Sequence, residues 1–139
     1  MRRLQFATKT ADESVNNSAV LQNDNHLSFY GEAGKKYHVA LALIIVATVD
    51  AMDVKLSMPS GATFKGQTRD IDASPVNALW DGSEKAIAEL DGTVLAEGVV
   101  QMGTTAGTVV LQYAQNSATV GNTTMKAGST LLATRVTTG

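Results

Sequence analysis

The chain of 139 residues has no cysteine, which excludes disulfide staples and thiolate metal sites and fits folding in a reducing cytosol. Nucleophile and nucleotide motifs are missing too: there is no G-x-S-x-G, no P-loop and no dinucleotide-binding glycine pattern. Histidine is scarce. The two present, His26 and His38, fall on different expected strands and read as surface or interface imidazoles, not as ligands or general bases. A membrane-length hydrophobic run is also absent. A spanning helix takes about 20 apolar residues, and the run from Tyr37 to Val49 is closed by Lys35 and Lys36 before it and Asp50 after it. The opening "MRRLQFATKTADE" has basic residues but no apolar core behind them, so no cleaved signal peptide is expected. Charge is thin in the last third, where only Lys126 and Arg135 are charged between Gly98 and Gly139. That stretch reads as β-structure of small residues, not as a solvated tail or a nucleic-acid-binding stripe.

What is there is strand. The Tyr37–Val49 run holds Val39, Ile44, Ile45, Val46, Thr48 and Val49, β-branched residues that pack well on a pleat and lose rotamer freedom in a helix. Alternation places Tyr37, Val39, Leu41, Leu43, Ile45, Ala47 and Val49 on one face and His38, Ala40, Ala42, Ile44, Val46 and Thr48 on the other. Both faces are mostly apolar, so a second layer or another subunit must cover the second one. The following "MDVKLSM" alternates as a half-exposed strand does. Further strand-like pieces are "RLQFATK", "SAVLQ", "HLSFY", "ATFKG", "GTVLAEGVVQMG", "GTVVLQYAQ", "ATVGNTTMKAG" and "STLLATRV". Roughly eight to ten strands separated by Gly, Asn and Asp turns predict an all-β fold, an antiparallel β-sandwich of jelly-roll type.

Two regions depart from this pattern. Between Gly66 and Gly92 an acid-rich excursion carries the single tryptophan and two helix-like fragments. One opens at Ser74-Pro75 with Val76, Leu79 and Trp80 on one side, and the other is capped by Ser83 and runs to Leu90. Asp70, Asp72, Asp81 and Asp91 read as a solvated acidic loop, with Ca²⁺ ligation as the sharper alternative. Trp80 is either a partner anchor or a core residue. The second region is the N-terminus. Residues 1–10 hold Arg2, Arg3 and Lys9 and no acid, so they predict a basic arm ahead of a single domain over residues 11–139. Leu4 and Phe6 alternate within it, so the arm could add as an edge strand to another chain, with Arg2, Arg3 and Lys9 steering it to an acidic protein surface. The competing expectation makes it the first strand of the sandwich. Two arginines without interleaved aromatics are a poor nucleic-acid site.

The segments "KTADESVNNSAVLQNDNHLSF", "GEAGKKYHVALALI", "DVKLSMPSGATF", "GTVVLQYAQNSA" and "TTMKAGSTLLATRV", taken in order, resemble small structural proteins of tailed bacteriophages. The most specific pieces are "LQND-x-HLSF", "SGAT", "LQYAQN" and "KAGS". Tyr113 and Thr134 stand where related chains often carry Trp and another aromatic. The resemblance implies a non-enzymatic virion protein, a homotrimeric jelly roll similar to capsid decoration (cement) proteins. It would be made in the host cytoplasm and bound to the outer surface of the head, where it bridges capsomers. The expected partners are a second and third copy of the chain and the major capsid protein, without nucleic acid, membrane or cofactor. Arg2, Arg3, Leu4, Phe6 and Lys9 are the expected capsid contacts, and Tyr37, Ile44, Val46, Tyr113 and Leu132 the expected oligomer interface. A tail or fibre protein that binds a host-surface glycan through Trp80 is the alternative. An enzyme on a jelly roll is the weakest reading, because the catalytic inventory is so small.

Overall fold

The computed structural model describes residues 4–47, 49–70, 77–87 and 91–136. Their regular structure is all strand: β1 (Leu4–Thr8), β2 (Glu13–Asn16), β3 (Gln22–Gly31), β4 (Lys36–Ala47), β5 (Met52–Ser57), β6 (Thr63–Asp70), β7 (Asn77–Trp80), β8 (Lys85–Ile87), β9 (Asp91–Gln101), β10 (Gly107–Gln115), β11 (Asn122–Met125) and β12 (Thr130–Val136). They form two antiparallel sheets packed as a β-sandwich. The wide sheet has eight strands in the order β1-β12-β4-β9-β6-β7, with β11 beside the far end of β4 and β2 beyond β11. The narrow sheet has the order β3-β10-β5-β8.

The long apolar run becomes β4, the axis of the wide sheet. It pairs with β9 along one side, and with β12 and then β11 along the other. Its odd-numbered side chains, Tyr37 through Ala47, are all buried, and its even-numbered ones, His38 through Val46, are half-buried on the opposite face. Against the buried face pack Leu27 and Phe29 of β3, Val109, Leu111 and Tyr113 of β10, and Met52, Val54 and Leu56 of β5. The Phe29 and Tyr37 rings meet across the sandwich at 5.3 Å, and the Tyr37 hydroxyl accepts a hydrogen bond from the Glu32 N–H at 2.9 Å. Each such aliphatic or aromatic side chain contributes roughly 1.5–3 kcal/mol on burial, so the spine of the fold is this single alternating strand. Val94, Ala96, Val100 and Met102 are buried in register along and just beyond β9, as their spacing predicts.

Gly66 and Gly98 face each other between β6 and β9. A Cβ on Gly98 would lie 2.3 Å from the Lys65 carbonyl oxygen and 2.6 Å from the Phe64 ring. The pair is glycine because the Phe64 ring fills the space that side chains would take, and Phe64 in turn meets Trp80 edge to face at 5.4 Å.

Three expectations fail. The "SAVLQ" segment is not a strand, and the strand in that region is β2, whose Val15 is buried and whose backbone pairs with β11. The two short helices do not form where the excursion is described. Asn77–Trp80 pairs with β6, and Lys85–Ile87 pairs with β5 so that Ile87 is buried opposite Met52. Backbone pairing to an available edge outweighs weak local helix signals. Ser74, Pro75 and Val76, and the end of the second fragment at Leu90, lie outside the described residues. Finally, Asp53, on the expected solvent face of β5, is buried and accepts a hydrogen bond from the Asn116 side chain at 2.8 Å.

Candidate functional site

The outer face of the wide sheet is the broadest candidate surface. Cross-strand registers place Phe6, Leu132, Ala40, Glu97, Gln67 and Leu79 in one row, with Leu4, Thr134, His38, Val99 and Lys65 in the adjacent row. On the other side of the first row, Thr8, Thr130, Ala42, Leu95 and Arg69 align, and Ile44 and Val46 continue the face along β4. The half of this face built by β1, β12 and β4 carries, among the described residues, no formal charge apart from Lys36, exposed at the start of β4, and any on His38. The other half carries Glu97, Lys65, Arg69 and Asp91, and the boundary is marked by His38 Nε2 at 3.1 Å from Glu97 Oε1. Charge depletion with exposed aliphatic and aromatic side chains is the composition of an interface centre, not of an ordinary solvated sheet.

Leu4 and Phe6 are 59% and 64% exposed on this face. Their strand β1 pairs with β12, from Leu4 opposite Thr134 to Thr8 opposite Thr130. Of the two expectations for the N-terminus, the paired strand is therefore the one seen for Leu4–Thr8. β1 is the terminal strand of its sheet, and among the described residues its other edge is unpaired. Gln5 points inward and clasps the Tyr30 backbone of β3, donating from Nε2 to its carbonyl at 2.8 Å and accepting from its N–H at 2.9 Å. Arg2 and Arg3 lie outside the described residues.

The remaining expected site residues divide by burial. Ile44, Val46 and Leu132 are half-buried on the outer face. Tyr37 and Tyr113 lie in the core between the sheets, which removes them from any surface that the folded chain offers. Burial also pushes the Tyr113 phenol up from its ordinary value. Lys9 is the clearest correction: expected as an exposed capsid contact, it is 1% exposed and ion-paired to Glu13 and Asp24. Trp80 is 4% exposed, and its indole N–H donates to the Ser83 carbonyl at 2.6 Å, so its core role prevails over the anchor role.

A groove of about 600 Å³ lies over this tryptophan, lined by Phe64, Lys65, Leu79, Asp81, Glu84 and Lys85 among others. It presents little aromatic face, because both rings in it are buried. Hydrogen bonding to Asp53 raises the Glu84 carboxyl above its ordinary value, assisted by desolvation. Asp81 is instead lowered, by the hydroxyl and N–H of Ser83. Asp81 and Asp91 do not gather into a cation site among the described residues. One group of potential metal ligands does, Glu13, Asp24 and His26, whose ligand atoms lie within 4.8 Å of one another. The Lys9 ammonium already occupies their centre. No helix among the described residues is long and apolar enough to cross a membrane. Neither a family model, nor a curated protein, nor a solved structure matches the chain.

Proposed function

We propose that this chain is a non-enzymatic structural protein of a tailed-phage virion, a decoration protein that binds the outer surface of the head as a homotrimer and bridges capsomers. The observation that carries the reading is the charge-poor, partly apolar outer face of β1, β12 and β4, where Lys36 at the start of β4 is the only lysine or arginine among the described residues, on a strand that is already fully packed on its inner face. A face of this kind left in water is an aggregation hazard, and a symmetric oligomer removes it. The winding supports a jelly roll. β3, β4, β5 and β6 alternate between the two sheets, as do β7, β8, β9 and β10. Ile44, Val46 and Leu132 form the contact between copies. Leu4 and Phe6, beside the open edge of β1, meet the major capsid protein, with strand addition as the mode of attachment.

The deciding experiment uses purified virions and the purified chain together. Quantitative staining should give a stoichiometry that scales with the head protein, and light scattering should give three copies per particle of free protein. Abundance matching a tail fibre, or a stable monomer, overturns the reading. Phe6→Asp should leave the trimer intact and abolish co-sedimentation with heads that lack the protein.

A further inference from the structure

Where β3 meets β10, the ladder slips. Ser28 pairs with Val110 and Asn23 with Gln112, so Asp24 to Leu27 bulge out opposite the single residue Leu111. Bulges of this kind re-aim side chains and recur beside functional sites. Here the bulge turns Asp24 into the protein, where its side chain is fully buried against the fully buried side chain of Lys9. Lys9 Nζ stands 2.8 Å from Asp24 Oδ2. The other oxygen, Oδ1, accepts the N–H groups of both His26 and Leu27 at 2.8 Å. Glu13 contacts the same Nζ and is itself held by Asn25, through the backbone N–H at 3.2 Å and the side-chain amide at 2.6 Å. His26 Nδ1 lies 3.5 Å from Nζ, and the Tyr113 ring lies 6.0 Å from it.

We propose that Lys9 and Asp24 join in an intramolecular isopeptide bond, with Glu13 as the proton relay. Each part has a place. Nζ is the nucleophile and the Asp24 Cγ is the electrophile. The two N–H groups on Oδ1 form an oxyanion site for the tetrahedral adduct. Oδ2, beside Nζ, is the leaving oxygen. The ammonium carries three protons and the amide keeps one. Glu13 takes the other two in turn from Nζ and delivers them to Oδ2, which departs as water, and Glu13 ends in the state in which it began. The ion pair and the products, an amide and water, balance without any co-reactant. In bulk water this condensation is disfavoured because both ions are well solvated. Inside the protein that solvation is lost, and a neutral amide replaces two buried charges. Fixed proximity supplies the rate. The bond would tie the N-terminal strand of the wide sheet to the first strand of the narrow one, so that a pull on β1 is borne by a covalent link between the sheets.

The test is the intact mass of the folded full chain, incubated at neutral pH and then denatured. It should be lighter than the sequence mass by one molecule of water, and digestion should yield the peptides of Lys9 and Asp24 covalently joined, with no tryptic cleavage after Lys9. Full sequence mass overturns the proposal and leaves an ion pair only. Lys9→Arg separates the bond from succinimide formation at Asp24, which also loses water: the arginine variant should return to full mass, and a retained water loss overturns the proposal. Glu13→Gln keeps a side chain able to bond Asn25 but cannot relay protons, and it should also show full mass. A joined peptide in that variant removes Glu13 from its role, and a link mapped to Glu13 instead of Asp24 overturns the assignment.

Discussion

Leu43 and Ile44 are neighbours on β4 and nearly equal in size, yet they belong to different surroundings. Leu43 is 1% exposed and packed between the sheets, whereas Ile44 is half-buried on the outside of the wide sheet. The same contrast holds for charge. Lys9 and Asp24 form an ion pair with neither side chain exposed to solvent, while Lys126 and Asp12 form one at the same 2.8 Å separation with side chains 40% and 46% exposed. What a side chain contributes here is set by which side of the wide sheet it stands on, and four substitutions test that.

The largest effect is expected inside, at the charge. Lys9→Met removes both the cation between Glu13 and Asp24 and the proposed link to Asp24; the loss of one partner of a buried pair by itself costs about 3–5 kcal/mol. Urea denaturation should show the midpoint falling accordingly. Leu43→Ala comes next. It empties a fully packed site and should cost about 2–5 kcal/mol, read from the same titration. Ile44→Asp sharpens the comparison one residue away. The unfolding midpoint measured on dissociated chains should fall less than for Leu43→Ala, because Ile44 is only half-buried, whereas light scattering should report loss of the proposed trimer. A trimer that survives Ile44→Asp breaks the link between the outer face and assembly.

How much of this is legible in the sequence follows from the same residues. Alternation alone assigns Tyr37 and Ile44 to opposite faces of β4, and every odd position from Tyr37 to Ala47 is in fact inward. Alternation cannot say which of two apolar faces is the core, so Tyr37 and Tyr113 read as interface residues when both are buried. The sandwich follows from many period-2 segments, and the register of Val94, Ala96, Val100 and Met102 was readable for that reason. The excursion reads as helical in sequence because Leu79, Trp80 and Ile87 also suit a helical face, while the edges that they pair with belong to distant segments. The Lys9 site was hidden for a different physical reason. Its geometry depends on a bulge, and a bulge is a mismatch between two strands that neither strand announces. The one local signal was the polar stretch Asn23-Asp24-Asn25-His26 breaking the alternation just before the apolar pattern of Leu27 and Phe29.

The smallest effect is expected at Asp12. Its carboxylate accepts from Lys126 Nζ at 2.8 Å and from the Ala127 N–H at 2.7 Å. The Lys126 hydrogen bond, followed by the Ala127 N–H, holds its pKa below the ordinary 3.8. The folded chain therefore binds this proton less readily than the unfolded one, so the pair's contribution is fully present above 3.8 and is lost as pH falls through the lowered folded value. Asp12→Asn should leave the thermal midpoint almost unchanged at neutral pH, because water screens an exposed pair and its side chains pay entropy to meet. Whatever small difference exists between wild type and variant should be constant from neutral pH down to the ordinary aspartate range and should shrink only below it. A neutral-pH loss comparable to that of Lys9→Met would mean that burial does not separate the two lysine–aspartate pairs, and the contrast between the inside and the outside of the wide sheet would fail at the point where it is drawn most sharply.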